Sequence, residues 1–558
     1  MVSTARPRFF DRPIASATPA RPVALVLILG LIAGLLTSPA PAADSIAERL
    51  RLRIESGLDT DSFDVMDEHV FARETLRRIY PARDYAPIWI AGDELSENAK
   101  AFIDWLQAGP TRQGLRAEDY HLAAIESLDT DQVGALVDME LALSDAFLIV
   151  GSHFLAGRLN PETLDPEWVA NRRSADLAPV LERVAAGADA GMTLEELLPR
   201  AAAYAALVRR LAELRHIRDA GGWPVVEPGP TLRPGDTGAR VAALSERLRI
   251  SGDLDGEARD VFDAELAGAV EHFQARHGLG ADGLVGRATL AELNVPVQDR
   301  IDQIIVNLER WRWLPESLGD RYVIVNIAGF RLDVVEDGQR TLTMRVVVGK
   351  PYRRTPVFSE NIRYLVLNPT WDVPNKIAVE DKLPLIRKDP GYLVQQGFEL
   401  LEGWGADERR IDPATVDWSA ITRRAFPFRL RQPPGPNNAL GRIKFMFPNK
   451  FSVYLHDTPT RNLFGETSRA FSSGCIRLQE PLELATLLLR DNPNWTRSAI
   501  EGAIAQGSER TVMLKQPMPV HLLYWTAWVE LDGTIEFRDD IYGRDKPVLR
   551  ELSENPPS

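Results

Sequence analysis

The stretch Ser-Val-Tyr-Leu-His-Asp at 452–457, followed by Phe-Ser-Ser-Gly-Cys-Ile-Arg at 471–477, decides the fold of the C-terminal half. Residues in a strand alternate between its two faces. The first stretch is therefore predicted to bury its aliphatic side chains and to place Tyr454 and His456 together on the other face. In the second stretch, small residues precede Cys475, which lets the backbone approach a substrate closely. The two stretches predict a strand and a loop that meet at one site.

Cys475 is the only cysteine among the 558 residues, which excludes an internal disulfide and a cysteine-based metal site. A thiol becomes an effective nucleophile when a neighbouring imidazole takes its proton. His456 lies 19 residues before Cys475, close enough to fold back through one loop. We therefore predict Cys475 as a nucleophile and His456 as its base. The alternatives are a buried, inert cysteine and a structural histidine.

Strand patterns surround these stretches and define a β-rich domain at 300–545. Asp-Gly pairs at 337–338 and 532–533 predict two-residue hairpin turns. The segment 377–440 interrupts the strands with charged helical stretches and a Pro/Gly-rich cluster, and we predict that it is an inserted cap or lid. The predicted strands are 322–328, 330–336, 341–348, 363–368, 442–447, 452–456, 520–530 and 534–538.

The chain before the strands is predicted to be helical. Apolar residues recur at spacings of three and four over 44–220, where no group of catalytic residues is found, so this part is interpreted as a scaffold. A Gly/Pro-rich linker at 221–231 leads to a compact unit at 232–296 with helical segments. The predicted fold class is multidomain α+β: an all-α scaffold, a small three-helix module and a β-rich domain with an inserted cap. A C-terminal tail is assigned to 546–558.

The N-terminus has the pattern of a secretory signal peptide, assigned to 1–43. Arginines precede an apolar run of 14 residues at 23–36, and Ala40-Pro41-Ala42 matches a cleavage site. The apolar run is too short to be a good membrane span. We expect a secreted chain, with a membrane contact only if the signal stays uncleaved as an anchor.

Composition and charge narrow the possible partners. The formal net charge is -14 and no Lys/Arg-rich run is present, which argues against nucleic acid as a partner. The hydrophobic fraction of 45% and the charged fraction of 26% are those of a globular protein. No H-E-x-x-H motif occurs, so a zinc peptidase is not expected, and neither a metal nor another cofactor is predicted.

The residues around Cys475 resemble the signature of the L,D-transpeptidase catalytic domain, in His456-Asp457 and Ser472-Ser473-Gly474-Cys475-Ile476-Arg477. Where many smaller members have histidine, this chain has Ser473, as is common in the large periplasmic subgroup. Three further elements resemble that subgroup, and the resemblance extends from about 45 to 545. They are Asn-Leu-Glu-Arg-Trp-Arg-Trp-Leu-Pro at 307–315, Asn-Pro-Thr-Trp-Asp-Val-Pro at 368–374 and Asp-Ile-Tyr-Gly-Arg-Asp at 540–545.

The unit at 232–296 resembles the type 1 peptidoglycan-binding domain, a small three-helix module. The resemblance implies peptidoglycan glycan or stem peptides as partners, without implying which residues contact them. Its elements are Gly-Asp-x-Gly at 235–238, Ala-Val-x-x-Phe-Gln at 269–274, Gly-Leu at 278–279, Asp-Gly-x-x-Gly at 282–286 and Thr-Leu at 289–290.

The catalytic resemblance implies a periplasmic acyltransferase with a cysteine nucleophile. His456 would deprotonate Cys475, and the thiolate would attack the carbonyl before the terminal D-Ala of a tetrapeptide stem. A side-chain amine of a second stem would then resolve the thioester and form a 3→3 cross-link. Backbone N–H groups of Gly474 and Cys475, with the Tyr454 hydroxyl, would form an oxyanion hole. Family members are acylated by carbapenems, which implies the same for Cys475.

Two further site residues have alternative roles. Arg477 would bind a substrate carboxylate or make a structural ion pair, and Trp371 would line the donor groove or simply pack in the core. The acyl acceptor is also open: water would make the chain an L,D-carboxypeptidase, and a protein amine would attach an envelope protein to peptidoglycan. A non-enzymatic alternative is a peptidoglycan-binding structural protein.

Overall fold

The computed structural model describes residues 45–57, 63–128, 133–169 and 171–554. The predicted signal peptide at 1–43 and the last residues of the predicted tail lie outside this part of the chain. In the part described, no helix has both the length and the apolar character that crossing a membrane requires.

The N-terminal region is helical, as predicted, around one long central helix, Val133–Ala156. Two hairpins of two-residue strands interrupt it, Asp64–Val65 with Glu68–His69 and Ile90–Ala91 with Glu94–Leu95, so the expectation of a purely α region was wrong in this detail. The other helices are Ile46–Gly57, Arg73–Ala82, Glu97–Arg112, Ala117–Tyr120, Leu122–Ser127, Pro161–Leu164, Ala178–Ala185, Ala190–Glu195 and Ala202–Asp219.

The small module consists of three helices, as predicted: Ala239–Ile250, Ala264–Arg276 and Arg287–Leu293. Their apolar faces share one core that includes Leu244 and Phe273. A long helix, Val297–Arg312, follows and packs against Ala202–Asp219. The module is therefore joined to the catalytic part through a helix that also contacts the scaffold.

The β-rich domain is built on a nine-stranded sheet. Its last strand in space, Arg331–Glu336, pairs again with Gln339–Gly349, so the sheet closes on itself around an apolar core. In spatial order the strands are Ala470–Ser472, Gln339–Gly349, Ile476–Leu478, Leu455–His456, Ile443–Met446, Phe358–Leu367, Arg510–Leu523, Arg321–Asn326 and Arg331–Glu336. Helices Pro481–Leu489 and Arg497–Ala505 follow the cysteine loop.

Two predicted strands are shorter or divided. The strand predicted at 452–456 is reduced to Leu455–His456, because Ser452 has φ of 56°, outside the strand region. The strand predicted at 520–530 is divided into Arg510–Leu523 and Ala527–Val529, the second paired with Ile535–Phe537. Between them, the Thr526 amide donates to the Asn307 side chain at 3.1 Å instead of to a strand partner.

The inserted cap has its own sheet and its own apolar core. Trp371–Asp372 forms an edge strand of that sheet, so the insert begins before the predicted residue 377. The spatial order of strands is Arg409–Ile411, Glu399–Glu402, Arg429–Gln432 and Trp371–Asp372. The helical turns are Asn375–Ile377, Ala378–Lys382, Leu383–Lys388, Tyr392–Gln395, Gly405–Asp407 and Pro413–Thr415.

The C-terminal residues from 546 do not form an extended tail in the part described. Asp545–Ser553 is a helix whose Val548 and Leu552 side chains are buried. Asp545 forms an ion pair with Arg310 at 2.7 Å, which fixes the start of this helix to Val297–Arg312.

Candidate functional site

Cys475 lies in a short turn between the strands Ala470–Ser472 and Ile476–Leu478. The second strand runs parallel to Leu455–His456, and the Ile476 amide donates to the Tyr454 carbonyl at 3.1 Å. This pairing places Cys475 beside Tyr454 and one step from His456 on the neighbouring strand. The thiol is partly exposed, so a substrate can reach it.

The backbone of the cysteine loop is held by side-chain hydrogen bonds. Gly474 has φ of 112°, a conformation that L side chains rarely adopt. The Ser472 hydroxyl donates to the Cys475 carbonyl at 2.5 Å and accepts from the Gly474 amide at 3.1 Å. Thr355 donates from its hydroxyl to the Gly474 carbonyl at 2.9 Å. Such a loop is preorganised because its backbone groups already have fixed partners.

These bonds bear on the predicted oxyanion hole. The Gly474 amide is already used by Ser472, whereas the Cys475 amide donates to no group among the described residues. The Cys475 N–H is therefore the backbone donor that is free to meet a developing negative charge. The role of the Gly474 N–H stays a prediction, which requires the Ser472 hydroxyl to release it.

His456 is buried, with 4% of its surface exposed. Its Nδ1 donates to the Asp457 carbonyl oxygen at 2.5 Å. A carbonyl only accepts hydrogen bonds, so Nδ1 carries the proton of the neutral ring and Nε2 keeps a free electron pair. Burial, with the positive charge of Arg477, lowers the pKa of His456 to about 3. The imidazole is therefore neutral at physiological pH, the state required of a general base.

The Cys475 thiol is also neutral at rest. Burial raises the pKa of Cys475, and the Tyr454 backbone, the Lys444 charge, the Tyr454 hydroxyl and the Arg477 charge act in the opposite direction. The thiol points to the Ser452 carbonyl at 3.9 Å, and no hydrogen bond joins it to His456 in the described part of the chain. Catalytic hydrogen bonds are often long before a substrate binds, so this geometry does not exclude the pair.

Tyr454 and Trp371 connect the thiol to the cap. The Tyr454 ring lies 4.0 Å from the Lys444 ammonium, and its edge faces the His456 ring at 5.7 Å. Burial raises the pKa of Tyr454, with the Cys475 charge next in effect, while a hydrogen bond from Trp371 lowers it. Trp371 belongs to the apolar core of the cap, in which Tyr454 also packs. Of its two predicted roles, the structure shows the packing.

Two cations lie close enough to the thiol to lower the pKa of Cys475, Lys444 and Arg477. Neither forms an ion pair within the residues described, and the Arg477 Nε is buried without a hydrogen-bond partner. The structural ion pair considered for Arg477 is therefore not seen. Lys444 was missed from the sequence, although strand alternation places it between the buried Ile443 and Phe445, on the face of the site.

Ser473 is linked to the cap by a residue that the sequence did not single out. Arg353 donates to the Ser473 hydroxyl at 2.9 Å. The same guanidinium binds Asp381 at 2.5 Å and Glu380 at 2.6 Å, both in the helical turns of the cap. Arg353 is thus the contact through which the cap touches the cysteine loop.

The scaffold contacts the segment around Thr355, which supports the cysteine loop through Gly474. Trp168 pairs with Val357 as a parallel β-bridge, and Arg544 binds Asp165 at 2.7 Å. Tyr542 accepts from the Thr355 amide at 3.1 Å and donates to the Gly349 carbonyl at 2.6 Å.

Among the described residues, no group of three or more His, Cys, Asp or Glu side chains could hold a metal ion.

A partly exposed cysteine near a neutral, oriented histidine on a closed sheet is an arrangement that can support nucleophilic chemistry. Residues 320–503 match the L,D-transpeptidase catalytic domain family. Residues 237–293 match the putative peptidoglycan binding domain, and residues 74–211 match a scaffold domain. The resemblance predicted from the sequence is confirmed: the chain contains an L,D-transpeptidase catalytic domain and a peptidoglycan-binding type module.

The relative found among characterised proteins is a putative L,D-transpeptidase of Haemophilus influenzae. The two are 37% identical over 252 residues, 45% of this chain and 50% of the relative, so the match spans half the length of that protein. Two solved L,D-transpeptidases are each 16% identical to this chain. The one from Stackebrandtia nassauensis aligns over 54% of this chain and 96% of its own, with a TM-score of 0.21. The one from Xylanimonas cellulosilytica aligns over 53% and 100%, with a TM-score of 0.18.

Proposed function

We propose that this chain is an exported L,D-transpeptidase that cross-links peptidoglycan stem peptides through a thioester on Cys475. The observation that carries the proposal is the neutral His456, whose Nδ1–H donates to the Asp457 carbonyl so that Nε2 bears the lone pair, near a thiol whose pKa two neighbouring cations lower. The domain matches support the substrate class, because residues 237–293 match a putative peptidoglycan binding domain in the same chain as the L,D-transpeptidase catalytic domain match.

The reaction follows in two steps. His456 Nε2 takes the thiol proton while Sγ bonds to the carbonyl carbon between the third stem residue and D-Ala. The C–N bond then breaks, and the imidazolium returns the proton to the leaving D-Ala amine. In the second step, a side-chain amine of another stem attacks the thioester, the C–S bond breaks, and the amine proton returns to sulfur through His456. The Cys475 amide and the Tyr454 hydroxyl would donate to the oxyanion in both steps.

Lys444 and Arg477 would act on charge in this mechanism. The resting thiol has a raised pKa and the imidazole a lowered one, so forming the thiolate costs free energy in the empty site. Positive charge near sulfur reduces that cost and attracts the carboxylates of a stem peptide. The cap over the site would exclude water and favour an amine acceptor over hydrolysis. Hydrolysis would instead give an L,D-carboxypeptidase, and a protein amine would give attachment of an envelope protein.

The test is product formation. The purified chain is incubated with disaccharide-tetrapeptides, with Cys475→Ala in parallel, and products are followed by mass spectrometry. We expect tetrapeptide–tripeptide dimers with loss of one D-Ala, absent from the variant. Tripeptide monomers alone would favour the carboxypeptidase. No change in either sample would overturn the enzymatic proposal in favour of a binding protein. Periplasmic location through 1–43 is checked separately, by fractionation and N-terminal sequencing of the mature chain.

A further inference from the structure

A cavity of about 310 Å³ lies where the small module meets the scaffold and the catalytic domain. Its wall comes from the module helices Ala239–Ile250 and Ala264–Arg276, the scaffold helix Ala202–Asp219 and the strand Ile535–Phe537. The cavity is far from the cysteine loop in the sequence and shares no residue with the site described above. A volume of this size lies at the lower end of the range of small-molecule pockets, about 300–1,000 Å³.

Arg247 lines this cavity and is almost fully buried, with 1% of its surface exposed. Its Nε donates to the Leu293 carbonyl at 2.8 Å. Its Nη1 is buried and has no hydrogen-bond partner, and no carboxylate lies within ion-pair distance in the part of the chain described. The guanidinium stacks on the Trp223 ring at 3.8 Å. Arg247 is therefore a buried cation without an anion.

Two neighbouring arginines, unlike Arg247, are each paired with a carboxylate. Arg276 binds Asp253 at 2.5 Å, and Arg300 forms an ion pair with Glu292. Both carboxylates are thus already used, and Asp253 also accepts from His272. The cavity consequently has more positive than negative groups, although the chain as a whole is acidic.

An unpaired buried charge is costly, and stacking does not offset the cost. A buried ion without its partner destabilises the fold by more than a desolvated cation–π contact stabilises it. Burial, followed by the charge of Arg276, lowers the pKa of Arg247 to about 9, so the group stays charged at neutral pH. The partnerless Nη1 of this guanidinium can donate a charge-assisted hydrogen bond to a carboxylate.

We propose that this cavity is a carboxylate-binding site and that Arg247 binds the free carboxylate of a peptidoglycan stem peptide. The choice of ligand rests on the proposed function and on the match of 237–293, which contains Arg247, to a peptidoglycan-binding domain. A stem held here would tether the wall polymer to the junction of the three domains while another stem occupies Cys475.

The experiment measures binding without turnover. The full chain carrying Cys475→Ala is titrated calorimetrically with a stem tripeptide in its acid form and with the same peptide fully amidated. We expect saturable binding of the acid form and at least tenfold weaker binding of the amide. Adding Arg247→Met is expected to weaken acid-form binding at least tenfold, and Arg247→Lys to weaken it less. The matched control is Arg249→Gln on the same helix, an exposed arginine paired with Glu246 at 2.7 Å, which is expected to bind as the parent does.

Thermal unfolding separates a binding role from a structural one. We expect ligand-free Arg247→Met to unfold at a temperature no lower than the parent, because a buried unpaired charge has been removed. Equal peptide binding by Arg247→Met and the parent would overturn the proposal, as would a clear loss of stability or a failure to fold. The cross-linking assay of the unmodified chain is independent: binding without cross-linking would overturn the proposed function alone, and cross-linking with no effect of Arg247 would overturn this inference alone.

Discussion

The catalytic sheet and the cap both meet at Cys475, but they use charge differently. On the sheet, Lys444 and Arg477 lie near the thiol and form no ion pair among the described residues. In the cap, Arg429 and Arg431 both bind Asp372 and Glu408, at distances of 2.8–3.3 Å. The cap arginines fix the edge strand Trp371–Asp372 to its sheet, whereas Lys444 and Arg477 stabilise no neighbouring strand through an ion pair among the described residues.

This difference indicates which cations are candidates for a role in the reaction, namely those without an ion pair among the described residues. A cation that is paired with two carboxylates has few hydrogen-bond donors available for a ligand. The desolvation of a half-buried cation without a partner is offset only when it binds an anion. Arg353 stands between the two cases, because it is paired with the cap and also donates to Ser473 of the cysteine loop.

Replacing the nucleophile should have the largest effect. Cys475→Ala is expected to reduce cross-linking by a factor of about 10⁴ or more, because no other thiol is present. It should also prevent the mass increase that we expect a carbapenem to produce in the unmodified chain. Intact-protein mass spectrometry and the product assay measure both, and unfolding temperature serves as the control. Carbapenem addition to the alanine variant would show that another residue is the nucleophile.

Removing the base should have the next largest effect. His456→Gln keeps a polar side chain but not a proton acceptor of suitable basicity, so turnover should fall by about 10²–10⁴. Peptide binding should change little, because His456 is buried behind the thiol. Rates of thioester formation under single-turnover conditions measure this. A variant that forms the thioester at the normal rate would exclude His456 as the base.

The unpaired cations should set the reactivity of the thiol. The Lys444 and Arg477 charges lower the pKa of Cys475, so Lys444→Met should raise it and shift alkylation by iodoacetamide to higher pH. Because burial already raises that pKa, alkylation of the unmodified chain should still increase with pH beyond the range in which an exposed thiol titrates. Turnover of the variant should fall by about 10²-fold. Arg431→Gln in the cap is the control, and an equal shift in both variants would break the contrast between the two regions.

The contact between cap and loop should have a smaller effect. Arg353→Ala removes the bonds to Glu380, Asp381 and Ser473 together, and we expect about a tenfold loss of kcat/KM, mostly in KM, as the cap loosens. Arg353→Lys should recover part of it. Arg409→Gln, an exposed pair with Glu402 at the far edge of the cap sheet, should stay within about twofold. Equal losses in Arg353→Ala and Arg409→Gln would show that the contact has no positioning role.

The sequence was sufficient for what depends on local pattern. The helical scaffold, the three-helix module and most strands of the closed sheet are set by periodicity or by short motifs, and strand pairing brings Cys475 and His456 into one region, while their catalytic roles stay predictions. It was insufficient where distant segments meet. The role of Arg353 becomes visible only through its contacts with residues 380–381 and 473, which are distant in the sequence. The cap begins at Trp371 because that residue pairs with Gln432 in the cap sheet. The positive φ of Ser452 likewise ends a strand that alternation alone would extend.

The smallest effect concerns stability rather than rate, and it comes from the buried base itself. The pKa of His456 is about 3 in the folded chain, against about 6.5 for an unfolded histidine, so the unfolded state binds the extra proton between these values. The stability contributed by the neutral ring is therefore complete above pH 6.5 and is lost as the pH falls toward 3. Between pH 7 and pH 5 the loss should be about 2 kcal/mol, and His456→Gln should lack this part of the pH dependence. Denaturant unfolding at the two pH values measures it. An identical pH dependence in both proteins would mean that His456 is protonated in the folded chain, and its assignment as the resting base would fail.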